Sequence, residues 1–311
     1  MKIISVIFVT VLFVGSFIFL TGCGKRYTKN ETETFILNAE GKSGFNLTNA
    51  NGEMKIYKND VTDEIKIIAH KTADVRKRDL DEPIDAIQIE IDSSGNEITV
   101  ETNMKSDNFI FGFRGKKEVF YEIYVPENIN LVFENLNGRV SINDITNDIN
   151  LIVTNGQISL NNTTGKLNVE STNGRISCQA TDTKGMNLQT VNGSIEVSVP
   201  DNIKLKFTAE VQNGNINHEQ FELTNSESKK NFFSGQIGTD TPDFEIHAET
   251  INGSITFKKL AVAENEVSGK SRDILEQAEK ELEEAEKIFE EKKRHYDQLK
   301  KESKDTLKAD I

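Results

Sequence analysis

The chain has 311 residues, with 50 acidic and 37 basic side chains and a formal charge of -13 at pH 7. An acidic chain is repelled by phosphate backbones, which argues against nucleic acid as a partner. Only 36% of the residues are hydrophobic, and there are two cysteines and four histidines. The length excludes a disulfide-stapled miniprotein, and the composition predicts a slim, repetitive core.

The N-terminus is typical of a bacterial lipoprotein signal. An apolar run from Ile3 to Leu20 leads into Leu20-Thr21-Gly22-Cys23, which resembles a lipobox. Small residues at 21 and 22 suit a signal-peptidase cleft, and the thiol of Cys23 would accept a diacylglyceryl group. The sequence therefore predicts a signal peptide over 1–22 and an extracytoplasmic protein held at the cell membrane by acyl chains on Cys23. An uncleaved transmembrane helix is the alternative.

The segment after the anchor lacks apolar periodicity, so residues 23–34 are expected to form the lipid anchor and a tether. From residue 35 onward, short runs such as 87–91 and 119–125 alternate apolar and polar residues, as β-strands do. With Cys23 acylated, Cys178 has no partner for a disulfide. We therefore expect a β-domain over 35–260 that is held together by packing and backbone hydrogen bonds.

One motif recurs through this domain: Asn-Gly, any residue, an apolar residue, a polar residue and another apolar residue. Its copies are Asn51-Gly52, Asn137-Gly138, Asn155-Gly156, Asn173-Gly174, Asn192-Gly193, Asn213-Gly214 and Asn252-Gly253. From Asn137 to Asn213 the copies are 18, 18, 19 and 21 residues apart. A second short strand lies between copies, so each period holds two strands. Stacked coils of this kind would bury a narrow continuous core, which predicts an all-β, β-solenoid-like domain with successive copies as successive coils.

The Asn-Gly pairs are predicted to be structural turns, because glycine adopts positive φ without a Cβ clash. Asparagine side chains at equivalent corners are also placed to bond to one another along the stack. Asn-Gly is equally the strongest hairpin signal, so an antiparallel β-sandwich is the alternative fold. Residues 219–243 interrupt the repeat and are expected to form a long loop.

These features resemble the bacterial putative-adhesin family over about residues 35–258. The resemblance rests on Phe35-Ile-Leu37 through Ile56, on the strand ending Val125-Pro126, and on the serial Asn-Gly coils. It implies a secreted or membrane-tethered envelope protein with no known catalytic residues. The 219–243 insertion and the C-terminal segment depart from the family's minimal pattern.

The chain ends in a charged segment with helical periodicity, predicted to be a coiled-coil-like helix over 264–309. Its seam consists of Leu275, Ala278, Leu282, Ala285 and Phe289. Three roles are open for this helix: a coiled coil with itself or another protein, packing against its own domain, or a solvated spacer.

Residues that could carry chemistry are few. The four histidines are scattered without metal-ligand spacing, and His218 is expected at an inward position of its coil. Cys178 occupies an inward row and is expected to be inert. We therefore expect no catalytic residue, metal or cofactor.

The leading hypothesis is a non-enzymatic envelope binding or scaffold module, in adhesion or stress sensing by resemblance. Its ligand is unknown, and its partners are the membrane and a protein reached through the C-terminal helix. The alternatives are a glycan-active enzyme on the outer solenoid face, and self-assembly through that helix.

Overall fold

The computed structural model describes residues 9–10, 20–21, 26–75, 84–104, 116–180, 183–200, 203–219, 221–239 and 241–260. The chain divides into two units, Met1–Leu260 and Ala261–Ile311. The second unit lies outside the described residues, and with it lie the predicted helix 264–309 and its seam. Gly22 and Cys23 also lie outside them. Among the described residues, no helix is long and apolar enough to cross a membrane.

The described part is all-β. Its strands are β1 Val9–Thr10, β2 Leu20–Thr21, β3 Arg26–Asn38, β4 Gly44–Asn51, β5 Met54–Lys58, β6 Glu64–Val75, β7 Ile87–Asp92, β8 Glu97–Met104, β9 Lys117–Val125, β10 Asn130–Asn137, β11 Val140–Asn143, β12 Ile149–Asn155, β13 Ile158–Asn161, β14 Leu167–Asn173, β15 Ile176–Gln179, β16 Met186–Asn192, β17 Ile195–Val199, β18 Leu205–His218, β19 Leu223–Lys229, β20 Phe232–Ile237 and β21 Phe244–Lys259.

These strands form two long ladders that share β21 and β18. The first ladder runs β7–β8–β4–β10–β12–β14–β16–β21–β18–β20–β19. The second runs β3–β6–β9–β5–β11–β13–β15–β17–β21–β18. Each Asn-Gly corner connects a strand of the first ladder to a strand of the second, so the repeat is a β-solenoid.

Equivalent residues of neighbouring coils lie side by side in parallel register. Val140 pairs with Ile158, Ile158 with Ile176, and Ile176 with Ile195, and all four are fully buried. This parallel pairing excludes the antiparallel sandwich for the repeat. Because each coil contributes only a few inward side chains, a chain of modest hydrophobicity closes a continuous core.

The last two coils do not follow the order of the sequence. We expected successive Asn-Gly copies to be successive coils, but β21 lies between the β16–β17 coil and β18. On its other side the first half of β18 pairs with β20, from Leu205 with Ile237 to Glu210 with Phe232. Because β20 occupies that edge, the final coil adds on the inner side of β18. The expectation was wrong here because the motif and its spacing indicate that a coil exists but do not indicate which edge of the stack it pairs with.

Two other segments also differ from the sequence interpretation. Residues 219–243 contain the antiparallel hairpin of β19 and β20 instead of one long loop. Residues 26–34, assigned to the tether, lie in β3, which pairs with β6 from Tyr27 onward. The alternation of β3 is hidden because inward positions carry charged side chains, which are satisfied by the ion pairs Lys71–Glu33 at 2.6 Å and Lys29–Glu31 at 3.4 Å. Strands β1 and β2, within the predicted signal segment, each pair with β3 over two residues.

Candidate interaction face

The corners of the solenoid carry a continuous ladder of asparagine amides. In each step the Nδ2 of one corner asparagine donates to the Oδ1 of the asparagine before it in the stack, over 2.8 to 3.0 Å. The spatial order of this ladder is Asn51, Asn137, Asn155, Asn173, Asn192, Asn252 and Asn213. Each amide between the two ends supplies one donor and one acceptor to the ladder, so the corner is aligned coil by coil.

The corner glycines are needed mainly because neighbouring backbones approach closely. A Cβ on Gly156 would overlap the carbonyl oxygen of Gly138, and one on Gly174 would overlap that of Gly156. The same clash recurs at Gly193, Gly253 and Gly214. A left-handed φ, the reason inferred from the sequence, occurs at Gly138 (138°) but at neither Gly156 nor Gly174. Close backbone approach therefore explains the repeat more generally than φ.

A row of polar side chains lies buried just inside these corners, two residues before five of the seven asparagines, and Val153 and Val211 take this place before Asn155 and Asn213. Its members are Asn49, Asn135, Ser171, Thr190 and Thr250. Asn135 donates to the carbonyl of Gly52 at 3.0 Å, and Thr250 donates to that of Gly193 at 3.2 Å. The Oδ1 atoms of Asn49 and Asn135 have no hydrogen-bond partner among the described residues. Sequence reasoning missed this row, although a polar residue two positions before five of the seven Asn-Gly pairs is visible in the sequence.

The outward side of the first ladder, called here the outer face, combines acidic and apolar side chains. One row across it runs Glu90, Glu101, Thr48, Glu134, Ile152, Glu170, Gln189, Glu249 and Glu210. Neighbouring members lie one strand spacing apart, about 4.8 Å. Large apolar side chains also stand open on this face: Leu136 is 48% exposed, Ile152 38% and Val191 39%.

A shallow groove of about 200 Å³ lies on the outer face. Its lining includes Ile152, Val191 and Ile251 as apolar groups, with Glu170 and Glu249 as carboxylates. A second groove, of about 640 Å³, lies at the corner near Asn51 and Asn137 and is lined by both signs of charge, including Lys116, Arg139 and Glu53. The two grooves differ in the charges of their lining. The outer-face groove combines apolar side chains with carboxylates, and such a lining suits a specific partner.

Residues 130–258, from β10 almost to the end of β21, match the family model Toastrack DUF4097. This stretch is a Toastrack domain. The family resemblance inferred from the Asn-Gly coils is confirmed for it.

Several solved structures are similar to the chain that carries this Toastrack domain. A putative cell adhesion protein from Clostridium sporogenes is 16% identical, with 75% of this chain and 100% of that chain covered and a TM-score of 0.43. A putative adhesin from Bacteroides fragilis is 13% identical, covering 74% and 97%, with a TM-score of 0.36. A putative lipid binding protein from Parabacteroides distasonis is 12% identical, covering 74% and 96%, with a TM-score of 0.26. No curated protein matches the chain.

The Toastrack domain holds its single cysteine away from solvent. Cys178 is buried in the inward row between Leu160 and Val197, with its Sγ 3.5 Å from the Sδ of Met186. Burial raises the pKa of the thiol to about 12, because the thiolate would lose its hydration. At neutral pH the group is a neutral core side chain, without the thiolate character that a nucleophile needs.

The three histidines among the described residues lie on different strands, His70 on β6, His218 on β18 and His247 on β21. His218, expected to point inward, is exposed and stacks on Phe233 with ring centroids 4.3 Å apart. It differs from the expectation because, in the part of the chain that the structure describes, β18 forms the end coil and has no coil beyond Asn213–His218. His70 stacks on Phe120, and its Nδ1 lies 3.0 Å from Thr32 Oγ1. No group of three or more His, Cys, Asp or Glu suited to a metal occurs in the part of the chain that the structure describes.

Proposed function

We propose that this chain is a lipid-anchored, non-enzymatic binding module of the cell envelope. On this proposal the solenoid presents its outer face to a protein partner whose surface carries apolar and basic side chains. The observation that carries the proposal is the exposure of Leu136, Ile152 and Val191 on a regular sheet face, beside a row of glutamates. Exposed apolar groups with polar neighbours on an ordered surface mark interaction sites.

Two properties of the outer face support binding to a protein surface. The face is part of a ladder whose strands are hydrogen-bonded on both sides, so its side chains stand on a backbone that needs no ordering when a partner arrives. The glutamates Glu134, Glu170 and Glu249 add a negative potential that attracts basic groups and orients the encounter. Apolar contacts at Ile152 and Val191 then supply the desolvated centre that holds such complexes together.

The first test changes the apolar centre of the outer face. The double variant Ile152→Glu and Val191→Glu is expected to lower capture of its partner from a solubilised envelope extract at least about tenfold, since it places charges where the contact is desolvated. Captured proteins are compared by quantitative mass spectrometry, with the unmodified chain as bait beside the variant. Ile36→Glu with Val61→Glu is the matched control, because both residues are exposed apolar side chains away from this face.

The control is expected to capture the same set of proteins as the unmodified chain. If the double variant on the outer face also captures that set undiminished, the outer face is not the binding site. If both double variants capture these proteins equally poorly, the loss is due to the added negative charge in general and not to the outer face. That result would also contradict the proposal.

The second test concerns the membrane anchor. Replacing Cys23 with serine is expected to abolish incorporation of a clickable palmitate analogue in living cells, because the oxygen of serine does not form the thioether on which acylation depends. Cys178→Ser is the matched control and is expected to label like the unmodified chain, since Cys178 is buried in the core. Label that persists in Cys23→Ser would overturn the lipid anchor.

The anchor defines where the outer face would work. A protein with several acyl chains at its N-terminus stays at the membrane surface, so any partner must be reached there. Self-assembly through the helix at 264–309 lies outside the described residues and stays a separate prediction.

A further inference from the structure

The two ladders of the solenoid present different side chains to solvent. The outer face, on the first ladder, carries glutamates and exposed apolar residues such as Leu136 and Ile152. On the second ladder, the outward residues of β11, β13 and β15, together with the residue before each strand, are neither acidic nor apolar. These residues, called here the polar face, are Arg139, Gln157, Arg175, Ser141, Ser159, Ser177, Asn143, Asn161 and Gln179.

Parallel pairing arranges the polar face in rows along the solenoid. Ser141 lies beside Ser159 and Ser159 beside Ser177, with neighbours one strand spacing apart, about 4.8 Å. The asparagine row is bonded within itself, since Asn161 donates from Nδ2 to the Oδ1 of Asn143 at 2.9 Å. The face is therefore a regular array of hydroxyl and amide groups on a hydrogen-bonded sheet.

Both basic side chains of the polar face lie in one row, on either side of Gln157. Arg139 donates from Nη2 to the Oε1 of Gln157 at 3.1 Å, and Arg175 donates from Nε to the Oγ of Ser194 at 3.1 Å. Both arginines are exposed, and both bond here to neutral side chains. Because a guanidinium has five N–H donors, each arginine retains donors for an incoming anion.

Carboxylates lie at the borders of the polar face and not within it. Glu53 lies in the neighbouring coil next to Arg139. On the opposite border Glu196 lies beside Ser177 and forms an ion pair with Lys258 at 2.8 Å. Since charges more than about 8 Å apart are largely screened at physiological salt, the glutamates of the outer face do not cancel the two arginines. The polar face therefore has a local positive charge in a chain whose net charge is -13.

These features match an extended polysaccharide that carries carboxylate groups. Hydroxyl and amide side chains act as both donors and acceptors toward sugar hydroxyls. Arg139 and Arg175 lie two strand spacings apart, about 10 Å, which is close to the length of a disaccharide in an extended chain. An arginine binds a carboxylate through two parallel hydrogen bonds. A chain with one carboxylate per disaccharide therefore reaches both arginines.

Other classes of partner fit the polar face less well. A protein interface has a desolvated centre that is more apolar than its rim, and the polar face has no apolar side chain. Nucleic acids and anionic membranes are bound through many clustered cations. Two arginines in an acidic chain supply few such contacts.

We propose that the polar face binds an extended acidic polysaccharide along the axis of the solenoid. Arg139 and Arg175 hold successive carboxylates, and Gln157 and Ser159 bond to the sugar hydroxyls between them. This site is separate from the proposed function, because the outer face lies on the first ladder and its partner is a protein. The sheet beneath the polar face is already ordered, so binding costs little conformational entropy.

The test measures the binding of fluorescent hyaluronan oligosaccharides, which are extended and carry one carboxylate per disaccharide, to the full chain in detergent. Arg139→Gln with Arg175→Gln is expected to raise the Kd at least about tenfold, because two charge-assisted contacts are lost. Lys206→Gln with Lys229→Gln is the matched control, since it removes the same charge from exposed lysines outside the polar face. The control is expected to leave the Kd unchanged, and uncharged dextran oligosaccharides are expected not to bind.

Four results would overturn the proposal. The first is a lack of hyaluronan binding by the unmodified chain, and the second is an unchanged Kd for the arginine variant. An equal loss in both double variants would show that net charge, and not the polar face, determines binding. Tighter binding of inorganic polyphosphate than of hyaluronan would show that the arginines attract any polyanion. Circular dichroism of each variant reports that the domain remains folded.

Discussion

Replacing Gly174 with valine is expected to lower the free energy of unfolding of the Toastrack domain by about 4 kcal/mol. The reason is steric, since a Cβ at this position would overlap the carbonyl oxygen of Gly156 in the neighbouring coil. Gly174 is not in the left-handed region, so strain in φ does not contribute. Urea unfolding followed by circular dichroism measures the loss.

Gly95→Ala serves as the control for Gly174→Val. A Cβ at Gly95 meets only the backbone nitrogen of Glu97, at 4.0 Å, so we expect a change within about 0.5 kcal/mol. If Gly174→Val were as mild as Gly95→Ala, the close stacking of the corners would be wrong.

Two isoleucines with the same place in the motif are expected to respond unequally to truncation. Ile255→Ala should cost about 3–4 kcal/mol, because Ile255 is fully buried between Ile195 and Ile216. Ile216→Ala should cost about 1 kcal/mol, because Ile216 lies in the end coil and is only partly buried. Urea midpoints of the two variants give the comparison directly.

This pair of variants also tests the order of the coils. If the coils followed the sequence, Ile216 would lie inside the stack and Ile255 at its end, so the two costs would be reversed. Equal or reversed losses would therefore contradict the insertion of β21 between β17 and β18.

The corner combines three features that act together. The asparagine ladder aligns neighbouring coils, the glycines let the backbones approach, and buried polar groups such as Thr250 bond to the carbonyls of the glycines. Such groups are costly when left unpaired in a low-dielectric interior. The corner thus favours one stacking register over slipped registers. The apolar rows alone would specify that register less strictly.

The candidate interaction face was the part least visible in the sequence. Glu134, Glu170 and Glu249 are far apart in the chain and resemble ordinary solvent-facing residues of strands. They share one row, with Ile152 and Gln189 between them, only because parallel pairing places equivalent positions of different coils side by side. Leu136 and Val191 belong to alternations that predict strands without saying which apolar side chains stay exposed.

The sequence by itself determined the all-β class, the two-strand coil and the Asn-Gly corners, because period-2 alternation and turn chemistry are local properties of the chain. It also identified the inward rows that bury Val140, Ile158, Ile176 and Ile195. Only the tertiary structure decided that β21 adds inside β18, that residues 26–34 form a strand, and that a glutamate row lies across one face. These features depend on which sheet edge is available for pairing and on ion pairs between residues that are distant in the chain. Neither property produces a periodic pattern in the sequence.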